Sequence, residues 1–162
     1  MRFLFLACLV LLTACGGEPA AKLNLGDPAP AFATQRLDGG KADFPAAAAG
    51  RPLVIRFWAD WCKYCEPEMK AIDAVYRRHR DKGLEVFAIN AGQDQATVEA
   101  FIRKLGVTYP VLLDENSAIA KRYGVVGLPT TYFVDAKGVV RGKVIGEADE
   151  AVFERHALAL LK

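Results

Sequence analysis

The sequence has few of the residues that usually hold metal ions. It contains two histidines, His79 and His156, and four cysteines, of which Cys62 and Cys65 stand close together. A structural zinc site needs four ligands of these kinds, and no second close pair of cysteines completes such a set. We therefore predict no metal and no cofactor, and we interpret both histidines as surface or packed residues.

The sequence also lacks a strong charge of either sign. Its formal net charge of +2 is too small to indicate binding to nucleic acid. Hydrophobic residues make up 52% of the chain and charged residues 25%, which favours a globular protein over a disordered one. The sequence contains no internal repeat and no low-complexity tract, and we predict no second domain.

No hydrophobic run is long enough for a permanent membrane helix, which needs about 20 apolar residues. Residues 3–12 form a run of ten apolar residues after Arg2, which is the layout of a secretory signal. The segment that follows resembles the bacterial lipoprotein signal, so we predict lipidation of Cys15, a signal peptide at residues 1–14, a tether at residues 15–24 and one domain at residues 25–162. The alternative is an ordinary signal cleaved after an Ala-x-Ala-like site, which would leave Cys15 free or removed.

Predicted strands and helices alternate along the rest of the chain. Short runs of β-branched and aromatic residues predict strands, and apolar residues at helical spacing predict helices. The predicted strands are residues 53–58, 84–91, 109–113, 130–135 and 139–145, and the predicted helices are residues 63–82, 94 or 95 to 105, 115–123 and 150–161. A hairpin is expected between residues 32 and 44, around Asp38-Gly39-Gly40. This order predicts an α/β sandwich with a mixed central sheet.

Cys62 and Cys65 lie at a predicted junction between a strand and a helix. If Cys8 is removed with the signal and Cys15 is lipidated, they are the two free thiols that remain. We expect Cys62 near the helix N-cap and Cys65 in the first turn, where unpaired N–H groups and the helix dipole favour a thiolate. Lys63 adds a neighbouring cation. A bridge between the two closes almost no loop, so its value as a structural brace is small.

Other uses of the cysteine pair fit the sequence less well. Covalent haem attachment needs a histidine directly after the second cysteine, where this chain has Glu66. A copper-delivery protein of the Sco type needs three residues between its cysteines and a distal histidine, whereas two residues separate Cys62 from Cys65. The cysteine pattern therefore favours redox chemistry over metal binding or an inert pair.

Two segments resemble the thioredoxin superfamily. Residues 57–65, FWADWCKYC, resemble its active-site segment, and residues 127–135, GLPTTYFVD, resemble its second hallmark, a cis-proline before a strand. With the Gly26-Asp27 entry and the lipoprotein signal, they are similar to the exported TlpA/ResA/CcmG group. The resemblance covers residues 25–160 and implies a thioredoxin fold, a three-layer sandwich with a mixed central sheet and an N-terminal β-hairpin extension.

The resemblance implies a role for each matching residue. Cys62 would be the exposed nucleophile that forms a mixed disulfide with a partner, and the more buried Cys65 would resolve it. Pro129 would be cis and face the pair, and Leu128 would offer its backbone to a substrate strand. Three neighbours would shield the pair, shape the contact surface and tune the potential: Trp61, Lys63 and Tyr64.

Three positions depart from the family pattern. Arg56 stands where thioredoxin has an aspartate beneath the pair, and Gln93 stands where ResA-like members have a glutamate. Proton transfer at Cys65 is therefore expected to use water or a nearby carboxylate: Asp60, Glu66 or Glu68. Pro67, at about the fifth helical position, is expected to remove one helical hydrogen bond.

These features predict an enzyme, a lipid-anchored periplasmic or extracytoplasmic thiol–disulfide oxidoreductase. The resemblance implies net reduction of protein disulfides, as in cytochrome c maturation, and recharging by a membrane thiol donor. We expect a monomer that does not bind nucleic acid. One alternative is a peroxiredoxin-like thiol peroxidase, although Ala59 stands where peroxiredoxins have threonine or serine. Another is a cysteine-based metal-binding or chaperone module.

Overall fold

A computed structural model describes residues 22–162 of the chain. The predicted signal peptide, Cys15 and most of the predicted tether lie outside these residues. The described elements are β1 (Phe32–Gln35), β2 (Lys41–Phe44), β3 (Leu53–Trp58), α1 (Cys65–His79), β4 (Glu85–Ala91), α2 (Gln95–Leu105), β5 (Val111–Asp114), α3 (Ala118–Arg122), β6 (Thr130–Val134), β7 (Val140–Ile145) and α4 (Glu150–Leu160). None of these helices has both the length and the apolar character that a membrane span requires.

Five strands form the central sheet in the order β5-β4-β3-β6-β7. β3 runs parallel to β4, which runs parallel to β5, whereas β3 with β6 and β6 with β7 are antiparallel. This mixed sheet confirms the predicted thioredoxin fold. β3 occupies the centre and all of its residues are buried, so the chain leaves β3 after Trp58 in the middle of one end of the sheet.

The central sheet separates two apolar cores. Successive residues of a strand point to opposite faces, so Val54 and Trp58 lie in one core while Ile55 and Phe57 lie in the other. Buried side chains of α1, α2 and α4 complete the first core, and side chains of α3 and the β1–β2 hairpin complete the second. The three layers are therefore helices, sheet, and a mixed layer of α3 with the hairpin.

The β1–β2 hairpin is the predicted N-terminal extension. Its antiparallel register places Phe32 opposite Phe44, with their ring centroids 5.5 Å apart. Gly39 in the connecting turn has a φ of 89°, a left-handed conformation that glycine adopts without strain. The N–H of Leu37 donates to the carbonyl of Val111 at 2.9 Å, so the hairpin region covers part of the outer edge of β5.

Helix α1 begins two residues later than predicted. Its first residue is Cys65, and a short 3₁₀ turn over Arg80–Lys82 follows its end at His79. Pro67 is consequently the third helical residue. The first four N–H groups of any helix lack an intrahelical acceptor, so the expectation that Pro67 removes a helical hydrogen bond was wrong.

Helix α3 is shorter than the predicted span of residues 115–123. Ser117 has a φ of 57°, which is incompatible with a helix running through it from residue 115. The carboxylate of Asp114 instead accepts hydrogen bonds from the N–H groups of Ile119 at 3.1 Å and Ala120 at 2.8 Å. The side chain thus satisfies N–H groups of the first helical turn, and the helix begins only at Ala118.

Candidate active site

Cys62 and Cys65 form a disulfide at the start of α1. Their Sγ atoms are 2.21 Å apart and their Cα atoms 5.4 Å apart. Two successive turns shape this segment, because the N–H of Cys62 donates to the carbonyl of Ala59 at 3.2 Å and the N–H of Cys65 donates to that of Cys62 at 3.0 Å. The N-cap of α1 is Tyr64, so Cys62 lies two residues before the N-cap, near it as predicted, and Cys65 lies in the first helical turn, also as predicted.

The two sulfur-bearing residues differ in exposure. Cys65 is fully buried and Cys62 is 7% exposed. This difference confirms that Cys65 is the more buried of the pair, but Cys62 is far less exposed than the resemblance implied. Burial arises because both cysteines pack against the apolar core that contains Trp58 and Met69. A partner therefore has access to a narrow part of the disulfide, on the side of Cys62.

The loop before β6 brings a cis-proline to the same end of the sheet. The Leu128–Pro129 peptide bond is cis, as the resemblance implied, and Phe44–Pro45 is a second cis bond that the sequence did not predict. Thr130, directly after Pro129, pairs with Phe57 of β3. Because β3 and β6 are antiparallel, the chain leaves β3 where it enters β6, next to the cysteine loop.

Apolar and aromatic side chains are exposed in the cysteine loop and in the loop before the cis-proline. Trp61 is 69% exposed, Tyr64 is 37% exposed and Val126 is 89% exposed. Lys63 places its Nζ atom 5.3 Å from the centroid of the Tyr64 ring. Trp58, in contrast, is completely buried and stacks on Phe101 in the core. The roles of the neighbours in shielding or tuning the pair remain predictions.

A polar network fastens the cysteine loop to the end of β4. The side-chain oxygen of Gln93 accepts hydrogen bonds from the N–H of Asp60 and from Nδ2 of Asn90, both at 2.9 Å. The Gln93 amide donates to the Asp60 carboxylate at 2.5 Å. Gln93, singled out because it replaces a glutamate, therefore holds the loop that carries Cys62.

Arg56 and Glu68 form an ion pair inside the protein. Arg56 is fully buried and Glu68 is 3% exposed. Burial lowers the pKa of Arg56, and the neighbouring Glu68 carboxylate opposes that shift. Sequence reasoning noticed both residues but missed their pairing. A signal was present, because an arginine in the middle of a fully buried strand needs a buried partner of opposite charge.

The other two carboxylates proposed for proton transfer are also engaged. Glu66 accepts hydrogen bonds from Lys70 at 3.1 Å and from Lys104 at 3.4 Å. Both contacts lower the pKa of Glu66, and the hydrogen bond from Lys70 has the larger effect. Asp60 is bonded to Gln93. The assignment of a proton-transfer group to any of these carboxylates remains a prediction.

Both histidines are packed residues. His79 is 6% exposed, and its Nε2 atom lies 2.9 Å from the carboxylate of Glu154. His156 stacks on Phe133 with ring centroids 4.4 Å apart. Within residues 22–162, no group of three or more histidine, cysteine, aspartate or glutamate side chains is placed to hold a metal ion.

The fold and the site together define a class of enzyme. A Cys-x-x-Cys disulfide stands where a central strand gives way to a helix, and a cis-proline precedes the neighbouring strand β6 at the same end of the sheet. The pair can accept or donate two electrons by exchanging its disulfide with that of another molecule. The molecule is a thiol–disulfide oxidoreductase with a thioredoxin fold.

Comparison with known proteins identifies the family. The model of the AhpC/TSA family matches residues 25–143. The thiol-disulfide oxidoreductase ResA of Bacillus thuringiensis subsp. konkukian is 30% identical over 165 residues, covering 96% of this chain and 94% of that protein. ResA of Geobacillus kaustophilus is 32% identical over 135 residues, covering 82% and 75%. The chain therefore belongs to the AhpC/TSA family and is related to the ResA oxidoreductases.

A solved structure supports the same assignment. The crystal structure of a thioredoxin-family thiol:disulfide interchange protein from Chlorobium tepidum is similar to this chain with a TM-score of 0.76 and 26% identity. The similarity covers 86% of this chain and 99% of that one. The whole thioredoxin-like domain, and not the cysteine segment alone, is thus shared with proteins of this class.

Proposed function

We propose that this enzyme is a lipid-anchored, extracytoplasmic reductant of protein disulfides, acting as a monomer and returned to its dithiol form by a membrane thiol donor. The observation that carries the proposal is the asymmetry of the disulfide, in which Cys62 keeps 7% exposure and Cys65 has none. In the proposed exchange, Cys62 meets the partner and the buried Cys65 completes the reaction.

The exchange proceeds in two steps. The Cys62 thiolate attacks one sulfur of the substrate disulfide, and the other substrate sulfur leaves as a thiolate that takes up a proton. Cys65 then loses its proton and attacks Cys62 in the mixed disulfide, which releases the second substrate thiol. Two electrons pass to the substrate, and the enzyme is left with the Cys62–Cys65 disulfide.

The exposed apolar side chains near this end of the sheet favour a protein disulfide over a small disulfide compound as the substrate. Trp61 and Val126 are strongly exposed, and Ile145, which pairs with Thr130 directly after the cis-proline, is 58% exposed. Exposed apolar side chains grouped around a site are typical of surfaces that contact another protein. Leu128, immediately before the cis-proline, would offer its backbone to an extended substrate segment.

The N-terminal sequence supports a location outside the cytoplasm. This location determines which donor can return the enzyme to its dithiol form. Anchoring at Cys15 would keep the enzyme at a bacterial membrane, where several acyl chains give stable attachment. Glutathione and thioredoxin keep thiols reduced in the cytosol, so an exported reductant needs a membrane thiol donor. The resemblance of the sequence to the TlpA/ResA/CcmG group is the reason for proposing apocytochrome c as one substrate.

Trapping of the mixed disulfide tests this proposal. A Cys65→Ser variant cannot complete the second step, so it should accumulate disulfide-linked partners through Cys62 in the cell envelope. A Cys62→Ser/Cys65→Ser variant is the matched control and should capture none. If the Cys65→Ser variant remains without partners while its Cys62 thiol stays free, disulfide exchange with proteins is not its function.

Two further measurements separate the parts of the proposal. A Cys15→Ser variant should leave the membrane fraction while keeping its exchange activity, and unchanged membrane attachment would contradict the lipid anchor. Consumption of hydrogen peroxide with a thiol donor should not exceed that of the double serine variant. Rapid turnover of peroxide would favour the peroxidase alternative instead.

A further inference from the structure

An ion pair lies inside the protein one helical turn beyond the redox pair. Arg56 and Glu68 form the sole salt bridge within residues 22–162 in which neither side chain has appreciable exposure. Leaving either charge of such a pair without its partner is costly in a protein interior. The position of this pair therefore matters for any charge that develops near it.

The position of the two side chains follows from β3 and α1. Arg56 occupies an alternate position along β3 together with Val54 and Trp58, so its side chain points to the same face of the sheet, the one covered by α1. Glu68 follows Cys65 by three positions on α1, a spacing at which Cβ atoms are about 5–6 Å apart. The carboxylate and the buried cysteine thus project from neighbouring turns of one helix.

Hydrogen bonds connect the ion pair to two further segments of the chain. Nη1 of Arg56 donates to Oγ1 of Thr131 at 2.8 Å, and Thr131 lies two residues after the cis-proline. Oε1 of Glu68 accepts from the N–H of Ala148 at 2.6 Å, just before α4. The pair therefore links the cysteine helix, the cis-proline strand and the approach to the last helix.

The groups packed around Arg56 leave Glu68 as its counter-charge. The Phe153 ring lies 5.8 Å from its guanidinium carbon. The hydroxyl of Tyr109 donates to the carbonyl of Met69 at 3.0 Å, and burial raises the pKa of Tyr109 well above its ordinary value, so this tyrosine stays neutral. The interior charge near Cys65 is thus one cation balanced by one anion.

We propose that Arg56 is a positioning residue for the redox pair, which holds Glu68 in place and cancels its charge beside Cys65. The balance sets how readily Cys65 becomes a thiolate and hence the stability of the dithiol form. This inference rests on disulfide exchange by Cys62 and Cys65, and it does not depend on the net direction of electron transfer.

Removing one charge of the ion pair at a time should shift the redox equilibrium in opposite directions for the two residues. Glu68→Gln leaves a buried cation near Cys65, which favours the thiolate and the dithiol form. Arg56→Met leaves a carboxylate that disfavours the thiolate, or that takes up a proton and becomes neutral. The double variant Arg56→Met/Glu68→Gln has no charge at either position and provides the reference.

Equilibration of these variants with glutathione buffers tests the order. Relative to the double variant, Glu68→Gln should shift the equilibrium toward the dithiol by at least about tenfold, or about 30 mV. Arg56→Met should lie at or below the double variant. Ultraviolet absorbance of the thiolate should titrate at lower pH in Glu68→Gln, a change that mere loss of packing would not produce.

Two control variants separate charge from structure. Arg78→Met removes an arginine that bridges α1 to Glu150 and Glu154 of α4, but Arg78 lies about 20 Å along the helix from Cys65. Its redox equilibrium should stay within about threefold of the wild type because exposed, distant charges are screened. Arg56→Lys keeps the cation and should also stay close to the wild type.

The outcomes decide between the two explanations. If Arg56→Met does not fold, a dithiol shift in Glu68→Gln that is absent in Arg56→Lys supports the proposal. The proposal is wrong if the redox equilibrium constant of Glu68→Gln stays within about threefold of that of the double variant, or shifts toward the disulfide, because charge balance then does not set the equilibrium. Where the double variant does not fold, the wild type is the reference. The net direction of transfer is measured on the wild type alone, so a failure of the proposed reductase function would be seen separately.

Discussion

Reduction of the Cys62–Cys65 disulfide is the perturbation that bears most directly on the direction of electron transfer. Folding and disulfide formation are linked, because a disulfide favoured by the fold makes the oxidised protein more stable than the reduced one by the same free energy. A net reductant should therefore be more stable when oxidised, whereas an oxidant has a fold that stabilises its dithiol.

The expected difference follows from two opposing contributions. The cysteines are three positions apart, and closing so small a ring restricts the unfolded chain by about 2 kcal/mol at 25 °C. In the reduced protein, the start of α1 stabilises a cysteine thiolate by about 0.3–1 kcal/mol. The chain-entropy contribution is the larger one, so the oxidised protein should be more stable by about 1 kcal/mol.

Urea denaturation with and without a thiol reductant measures this difference. The Cys62→Ser/Cys65→Ser variant should unfold at the same urea concentration in both conditions, which shows that the reductant acts through the pair. A reduced wild type that is more stable than the oxidised one would refute the reasoning. Stabilisation of the thiolate would then outweigh ring closure, and the enzyme would act as an oxidant.

Two further predictions concern the site surface and a helix cap. Trp61→Ala should change the free energy of unfolding by less than about 0.5 kcal/mol because the side chain is 69% exposed. The variant should exchange more slowly with a protein disulfide, whereas its exchange with glutathione disulfide should slow less. Equal slowing of both reactions would contradict a role of Trp61 in contacting the protein substrate. Asp94 accepts a hydrogen bond from the N–H of Thr97 at 2.9 Å, which holds the pKa of Asp94 below its ordinary value. This contribution is present above the unfolded pKa of about 3.9 and is lost as the pH falls through the folded pKa. Thermal melts should therefore show the wild type more stable than Asp94→Asn at neutral pH, with the difference vanishing in acid; a difference that persists would refute the charge argument.

The fold was predictable because local patterns and tertiary packing agree. β3 was predicted with its observed bounds because a fully buried central strand is a nearly continuous apolar run in the sequence. In β3 only Arg56 departs from this run. Helix α2 was also predicted closely, because Asp94 caps its start and Gly106 follows its end. Where signals of this kind bracket an element, sequence alone locates it.

The misplaced helix starts have a common cause. At α1, turns through Ala59 and Cys62 already satisfy the backbone before the helix begins, so residues 63 and 64 lie in a turn and not in the helix. At α3, the Asp114 side chain takes the place of the missing turn. Short polar segments before a helix offer such alternatives to helical hydrogen bonds, and periodicity does not distinguish them.

The sequence predicted the chemistry of the candidate site but not the ion pair and hydrogen bonds that hold the cysteine segment in place. The spacing of Cys62 and Cys65 and the cis state of Pro129 follow from short motifs. The Arg56–Glu68 pair and the Gln93–Asp60 bonds join segments that are distant in the chain. Their formation depends on the register of β3 against α1 and β4, which sequence patterns alone do not determine.

The two cysteines of one small ring are held by two different sets of contacts. Cys62 belongs to the loop that Gln93 ties to the end of β4, whereas Cys65 belongs to a helix whose next turn is held by Arg56. Both supports start from strands of the central sheet, so the ring spans two separately held segments of backbone. The sheet therefore holds Cys62, which keeps 7% exposure, and Cys65, which has none, through separate contacts, an arrangement that suits a two-step exchange.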